Sequence, residues 1–215
     1  MKKRISMLLA LVFVFSVLFI PVQAADTAGV AVSGTISLDD LDSNPDVIVS
    51  DPMTFTEMIA RMAKNADMSY DEVLRMLPDT MQTQAARSNA YRSFTASLYV
   101  TDEYQPYLDF YCATSEGGHF FNINSIYSIY SIQLVRSYNG ISKQFGGEVN
   151  AWLRSSNSIE YYVNGDFFNN GTTTVSGGIG VNAGLNVKCS VTCSVSYSSN
   201  HYKYFYVHKT IKYGS

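Results

Sequence analysis

The chain is short of charge, proline and cysteine. Of its 215 residues only 15% are Asp, Glu, Lys or Arg, and it contains 5 Pro, 3 Cys and 1 Trp. With 47% hydrophobic residues, that composition excludes a disordered or low-complexity chain. An odd and small cysteine count excludes a disulfide scaffold. Cys189 and Cys193 sit in an alternating pattern, so in an extended strand they share a face about 13 Å apart, too far to bridge. Cys112 is then the candidate partner of either one, unless all three are buried free thiols. Basic residues are outnumbered, 15 against 18, for a net charge of −3, and an acidic chain gains no counterion release from phosphate. No nucleic-acid partner is expected. His119, His201 and His208 are scattered without ligand spacing to a cysteine, so no metal is expected and no cofactor is called for. A G-x-S-x-G elbow, a P-loop and a dinucleotide fingerprint are all missing, and the chain reads as noncatalytic.

What is present begins with an export signal. Lys2-Lys3-Arg4 forms a basic start, Ile5 to Ile20 is apolar apart from Ser6 and Ser16, and Ala24 closes a small-residue cleavage pattern. Residues 1–24 are expected to be a signal peptide and the mature protein to be secreted and extracellular. Residues 25–52 carry six aspartates and no Lys or Arg, which reads as an acidic exposed linker.

Between 53 and 90 the period becomes helical. Thr54-Phe55-Thr56-Glu57 and Ser69-Tyr70-Asp71-Glu72 both match the capping box, and Met58, Ile59, Met62, Ala63, Val73, Leu74 and Leu77 supply an apolar stripe. A helical hairpin is predicted, turning at Asn65-Ala66-Asp67 and stopping at Pro78.

From 91 to 215 the period is two. Phe94, Ala96, Leu98 and Val100 alternate with polar residues, as do Leu108, Phe110 and Cys112, and Val149, Ala151 and Leu153. Asn139-Gly140, Asn164-Gly165 and Asn170-Gly171 are hairpin-turn chemistry. The expected fold is mainly β, an antiparallel β-sandwich or small barrel preceded by the short helical hairpin. The stretch Ile126-Tyr127-Ser128-Ile129-Tyr130-Ser131-Ile132 repeats every third residue and is read as a bulged strand.

Three strings in this region, Tyr138 to Gly147, Asn164 to Thr172 and Tyr197 to Tyr204, resemble secreted Gram-positive bacterial proteins that carry a C-terminal domain of unknown function. The resemblance spans about 91–215. It implies export and a β domain, and it carries over no functional residue.

Two surfaces stand out as candidates. Tyr202, Tyr204 and Tyr206 alternate on the last strand, about 7 Å apart, and with Trp152 would present flat amphipathic rings. Such rings stack on sugars or anchor a protein surface, so an extracellular glycan or protein is the expected partner. The alternative is a pore-forming or bacteriocin-like protein that inserts residues 175–197 into a membrane as an amphipathic hairpin turning at Asn182-Ala183-Gly184. Its lipid-facing side chains would be Val175, Ile179, Val181, Leu185, Val187, Val191 and Val195. The carboxylates Glu148, Glu160 and Asp166 are the best acid/base candidates, although a glycosidase pair depends on a separation in space.

Overall fold

The structure, a computed structural model, describes residues 33–37, 47–79, 81, 90–117 and 123–212; the signal peptide expected at 1–24 lies outside the described residues. In chain order the elements are β1 (Ser33–Ser37), β2 (Val47–Val49), α1 (Phe55–Ala66), α2 (Tyr70–Met76), β3 (Ala90–Ser97), β4 (Tyr107–Glu116) and β5 (Ile123–Val135). They continue with β6 (Ser137–Tyr138), β7 (Ile141–Ser142), β8 (Gln144–Ser155), β9 (Ser158–Gly177), β10 (Ile179–Ala183) and β11 (Lys188–Lys212).

Both helices begin where the capping boxes place them. Thr54 Oγ1 accepts from the Glu57 amide at 3.2 Å while Glu57 accepts from the Thr54 amide at 2.7 Å, and Ser69 and Glu72 repeat the exchange. The apolar stripe Met58, Ile59, Met62, Ala63, Val73 and Leu77 is buried against Tyr91, Tyr111 and Tyr130 of the neighbouring sheet. A polar clasp fixes α1 at the same place. The fully buried Asp109 accepts from Asn65 Nδ2 at 2.7 Å, from the Tyr111 hydroxyl at 3.2 Å and from Thr95, with Arg61 of α1 3.6 Å away.

The strands form a sandwich. One sheet has the order β10-β5-β4-β3-β2; its outer face carries the helices and its inner face faces the core. The other combines β1, β11, β8 and β9. Phe94, Ala96, Leu108, Phe110 and Cys112 meet Phe145, Val149, Ala151, Leu153, Tyr161 and Val163 in one core, as their alternation requires.

The three-residue repeat of β5 resolves into successive bulges. Opposite β4, Cys112 pairs with Ile129 but Tyr111 with Ser131, and Ala113 pairs with Ser128 but Thr114 with Ile126. Tyr130 and Tyr127 are therefore the extra residues, each lying with the following serine opposite a single β4 residue. This arrangement puts Ile126, Ile129 and Ile132 in the core three residues apart, which an unbulged strand cannot do.

Three expectations are corrected. Residues 25–52 are not wholly linker: β1 pairs in parallel with β11, and β2 pairs with β3 through Val47↔Ala96 and Val49↔Phe94. Acidic composition there obscured two short edge strands. Of the Asn-Gly pairs, only Asn139-Gly140 makes a hairpin, between β6 and β7. Asn164-Gly165 lies inside β9, where a Cβ at Gly165 would clash with the Gly146 carbonyl oxygen, and Asn170-Gly171 faces a register shift between Ser196 and Ser199. Glycine serves close backbone approach at the first and a bulge at the second.

The third correction concerns 175–197, which is not a hairpin. Gly177 and Gly178, at φ 79° and 86°, take the chain out of β9 and across to the other sheet. There β10 pairs with β5 through Ile179↔Ser131, and the Gly178 carbonyl accepts from the Ile132 amide at 2.7 Å. Residues 184–187 then return the chain to β11, the Asn186 amide donating to the Leu153 carbonyl at 2.8 Å. The β9 end pairs with β11 instead, Val175↔Cys193 and Gly177↔Val191. Alternation reports which face a residue occupies and is silent about which strand lies beside it.

Two substitutions test this backbone. Gly165→Ala forces the new methyl against the Gly146 carbonyl and the Phe145 ring, 2.7 Å away, and is expected to cost about 1–3 kcal/mol in chemical denaturation. Tyr197 has φ 54° and is 94% exposed, so Tyr197→Gly removes strain without removing packing and is expected to raise stability by up to about 1 kcal/mol.

Candidate functional site

The outer face of the β8-β9-β11 sheet is where chemistry-bearing side chains gather. Along β9, Ile159, Tyr161, Val163 and Phe167 are buried in the core, so by strand alternation Glu160, Tyr162, Asn164 and Asp166 point the other way. Pairing then sets the rows across that face: Trp152 beside Glu160 beside Thr210; Asn150 beside Tyr162 beside His208; Glu148 beside Asn164 beside Tyr206; Gly146 beside Asp166 beside Tyr204. Trp152, Tyr162 and Tyr206 lie on one diagonal over three strands, in a geometry where diagonal neighbours are about 7–8 Å apart. The Trp152 and Tyr162 rings are 5.8 Å apart and inclined by 38°. Tyr206 is 46% exposed and Tyr204, next along β11, 55%.

The expected tyrosine ladder is broken at Tyr202. His201 pairs with Phe168 and Lys203 with Phe167, so Tyr202 is an extra residue in the strand and falls with Lys203 opposite Phe167. Its ring packs edge-on to buried Tyr104 at 5.9 Å, its hydroxyl lies 2.8 Å from Thr101 Oγ1, and Lys143 Nζ sits 3.7 Å from its centroid. Tyr204 and Tyr206 remain on the outer face with Trp152. Tyr162 was not singled out from sequence, yet the signal was there: in Glu160-Tyr161-Tyr162-Val163 the parity of Ile159 and Val163 sends Tyr161 inward and Tyr162 outward.

Polar groups surround the rings. Glu160 accepts from Arg154 Nε at 2.6 Å and from His208 Nε2 at 2.9 Å; Asp166 accepts from His201 Nε2 at 2.8 Å; the Tyr204 hydroxyl donates to Asn164 Oδ1 at 2.9 Å. Arg154 also lies 4.8 Å from the Trp152 ring centroid. The hydrogen bond from Arg154 holds the Glu160 carboxyl below the usual carboxylate range, with partial burial opposing and His208 reinforcing it. Glu148, the third carboxylate, takes only a 3.4 Å contact from Asn150 Nδ2. Glu160 and Asp166 are engaged with cationic or imidazole partners, and the arrangement is that of an aromatic platform ringed by oriented donors and acceptors.

The cysteines are free and buried. Burial pushes Cys189 up to about 12 and Cys193 up to about 11, so neither is a nucleophile at neutral pH. Among the described residues no group of three or more His, Cys, Asp or Glu side chains is arranged to hold a metal, and no helix is long and apolar enough to cross a membrane. The side chains named for membrane insertion do not share a face. Val191 is buried in the core and Val181 packs against it, Ile179 packs under the helices, and Val175, Leu185 and Val187 are exposed.

No family model, curated protein or solved structure matches the chain.

The pH dependence of the Glu160 network follows from the sign of its shift. A carboxyl with a depressed folded pKa contributes fully above its unfolded value of about 4.3, and that contribution disappears as pH falls through the folded value. Glu160→Gln is expected to lower the melting temperature at pH 7, and the difference from wild type to close by about pH 3. Thermal melts of both proteins across that range check this; a gap of equal size at both ends refutes it.

Proposed function

We propose that the protein is a secreted, noncatalytic binding protein that recognises an extracellular glycan across the outer face of the β8-β9-β11 sheet. The observation that carries this reading is the diagonal Trp152–Tyr162–Tyr206, laid over three strands by their register. Sugar rings offer apolar C–H faces and equatorial hydroxyls. An extended oligosaccharide matches flat aromatic rings at regular intervals with hydrogen-bonding groups between them. Glu160, Asn164, His208 and Arg154 supply donors and acceptors beside the rings, fixed by their own hydrogen bonds. Pre-ordered side chains lower the entropy lost on binding.

The mature chain begins at Ala25 in this reading, exported by the signal at 1–24. Glycan recognition is favoured over a protein partner because the rings are interleaved with polar and charged groups, whereas the centre of a protein interface is depleted of charge.

A glycan array together with pull-down on cell-wall polysaccharide compares wild type with the Trp152→Ala/Tyr162→Ala/Tyr206→Ala variant. Affinity is expected to fall roughly tenfold or more in the triple variant. Tyr202→Phe keeps the inward ring and is expected to bind as wild type. Equal binding by wild type and a folded triple variant removes this face, and capture of a protein ligand with no glycan bound overturns the choice of ligand.

A further inference from the structure

A cavity of about 180 Å³ lies between the helical hairpin and the start of β10. Its walls are mostly apolar: Met68 from the turn between the helices, Met76 from α2, Ile132 and Leu134 from β5, Ile179 from β10 and Val191 from β11. The cavity exists because β10 leaves the β5 edge early. The last amide bonded across that edge is Ile132, which donates to Gly178, and the paired residues of β10 reach only Ser131 and Ile129.

The polar groups of this wall differ in what they can offer a ligand. Gln133 is 7% exposed; its Nε2 donates to the Met62 carbonyl at 3.0 Å, while its buried Oε1 has no partner. That oxygen has essentially no accessible surface, so a molecule in the cavity does not reach it. Arg136 is half-buried, and its Nη1 donates to the Lys143 carbonyl, Gln144 Oε1 and Thr173 Oγ1, all neutral. No carboxylate among the described residues forms an ion pair with it. Cys193, also in the wall, stays a neutral thiol and does not supply the missing anion.

We infer that this cavity binds a small organic acid: an apolar body the size of a single ring and a carboxylate for Arg136. The size argument rests on volume, since a cavity of about 150 Å³ with apolar walls takes up benzene. Methionine side chains adapt to such a ligand without a fixed outline. The site is separate from the aromatic face, shares none of its residues, and stands or falls independently of glycan binding.

Calorimetric titration of the full mature chain with 4-hydroxybenzoate, benzoate and benzyl alcohol tests this. Benzoate and 4-hydroxybenzoate are both expected to bind about tenfold or more tighter than the uncharged alcohol. Arg136→Gln is expected to erase the preference for the acids, while Arg136→Lys keeps part of it. Val175→Trp, at a half-exposed position in the wall, is expected to block all three without disturbing the core. Absence of binding by the acids at millimolar concentration overturns the proposal, as do equal affinities for acid and alcohol. So does acid binding that survives both Arg136→Gln and Val175→Trp in folded protein; the wild-type ligand series decides the matter even if a variant fails to fold.

Discussion

The register shifts of β11 are the constraint on which the candidate site depends. This strand pairs with β9 from Lys212↔Ser158 to Val191↔Gly177, and over Lys188 to Cys193 its other edge is occupied by β8. One strand serves both neighbours only by coiling, and the shifts at Ser196/Ser199 and His201/Lys203 are where its pairing is offset. Tyr197 and Asn200, both at positive φ, lie within that offset region. The second shift reverses parity, sending Tyr202 to Tyr104 and leaving Tyr204 and Tyr206 outside with Tyr162 and Trp152. Without it the outer face would hold a different set of rings.

The same device recurs in β5, where a bulge at each tyrosine of the repeat lets isoleucines three apart reach one core. Bulges add local twist, so both sheets curve around a shared interior instead of lying flat. The two outer faces then differ for a simple reason. One carries Tyr91, Tyr111, Tyr130 and the Asp109 clasp, which engage the helical hairpin. The other carries rings and charges that engage one another at the surface, and Tyr204 and Tyr206 keep about half their area in solvent.

Chemically, the molecule separates a wide, polar-rimmed aromatic surface from a narrow, apolar cavity with one cation. The first has area and two bound carboxylates; the second has partial enclosure and an unmatched charge. Extended surfaces suit polymers, and enclosed volumes of this size suit single small molecules.

Much of the fold was legible in the sequence. Capping boxes at Thr54 and Ser69 place both helices because they are local hydrogen-bond codes, and alternation at Phe94 to Val100 or Val149 to Leu153 marks the core face because strand parity is local too. The triplet in β5 announced bulging for the same reason. Partner choice was not legible: the even alternation from Val175 to Tyr197 hides a change of sheet at Gly177-Gly178, since parity survives a crossover. Tyr202 looked equivalent to Tyr204 until the extra residue in β11 turned it inward, an event decided by coiling between strands far apart in the chain. The cavity was invisible for a similar reason: Arg136 acquires meaning only where β10 leaves β5 and the helices close over the gap. Sequence alone determined the local elements and their buried faces, because those depend on neighbours a few residues away. Tertiary structure decided which faces meet and which stay open, because that depends on register between distant strands.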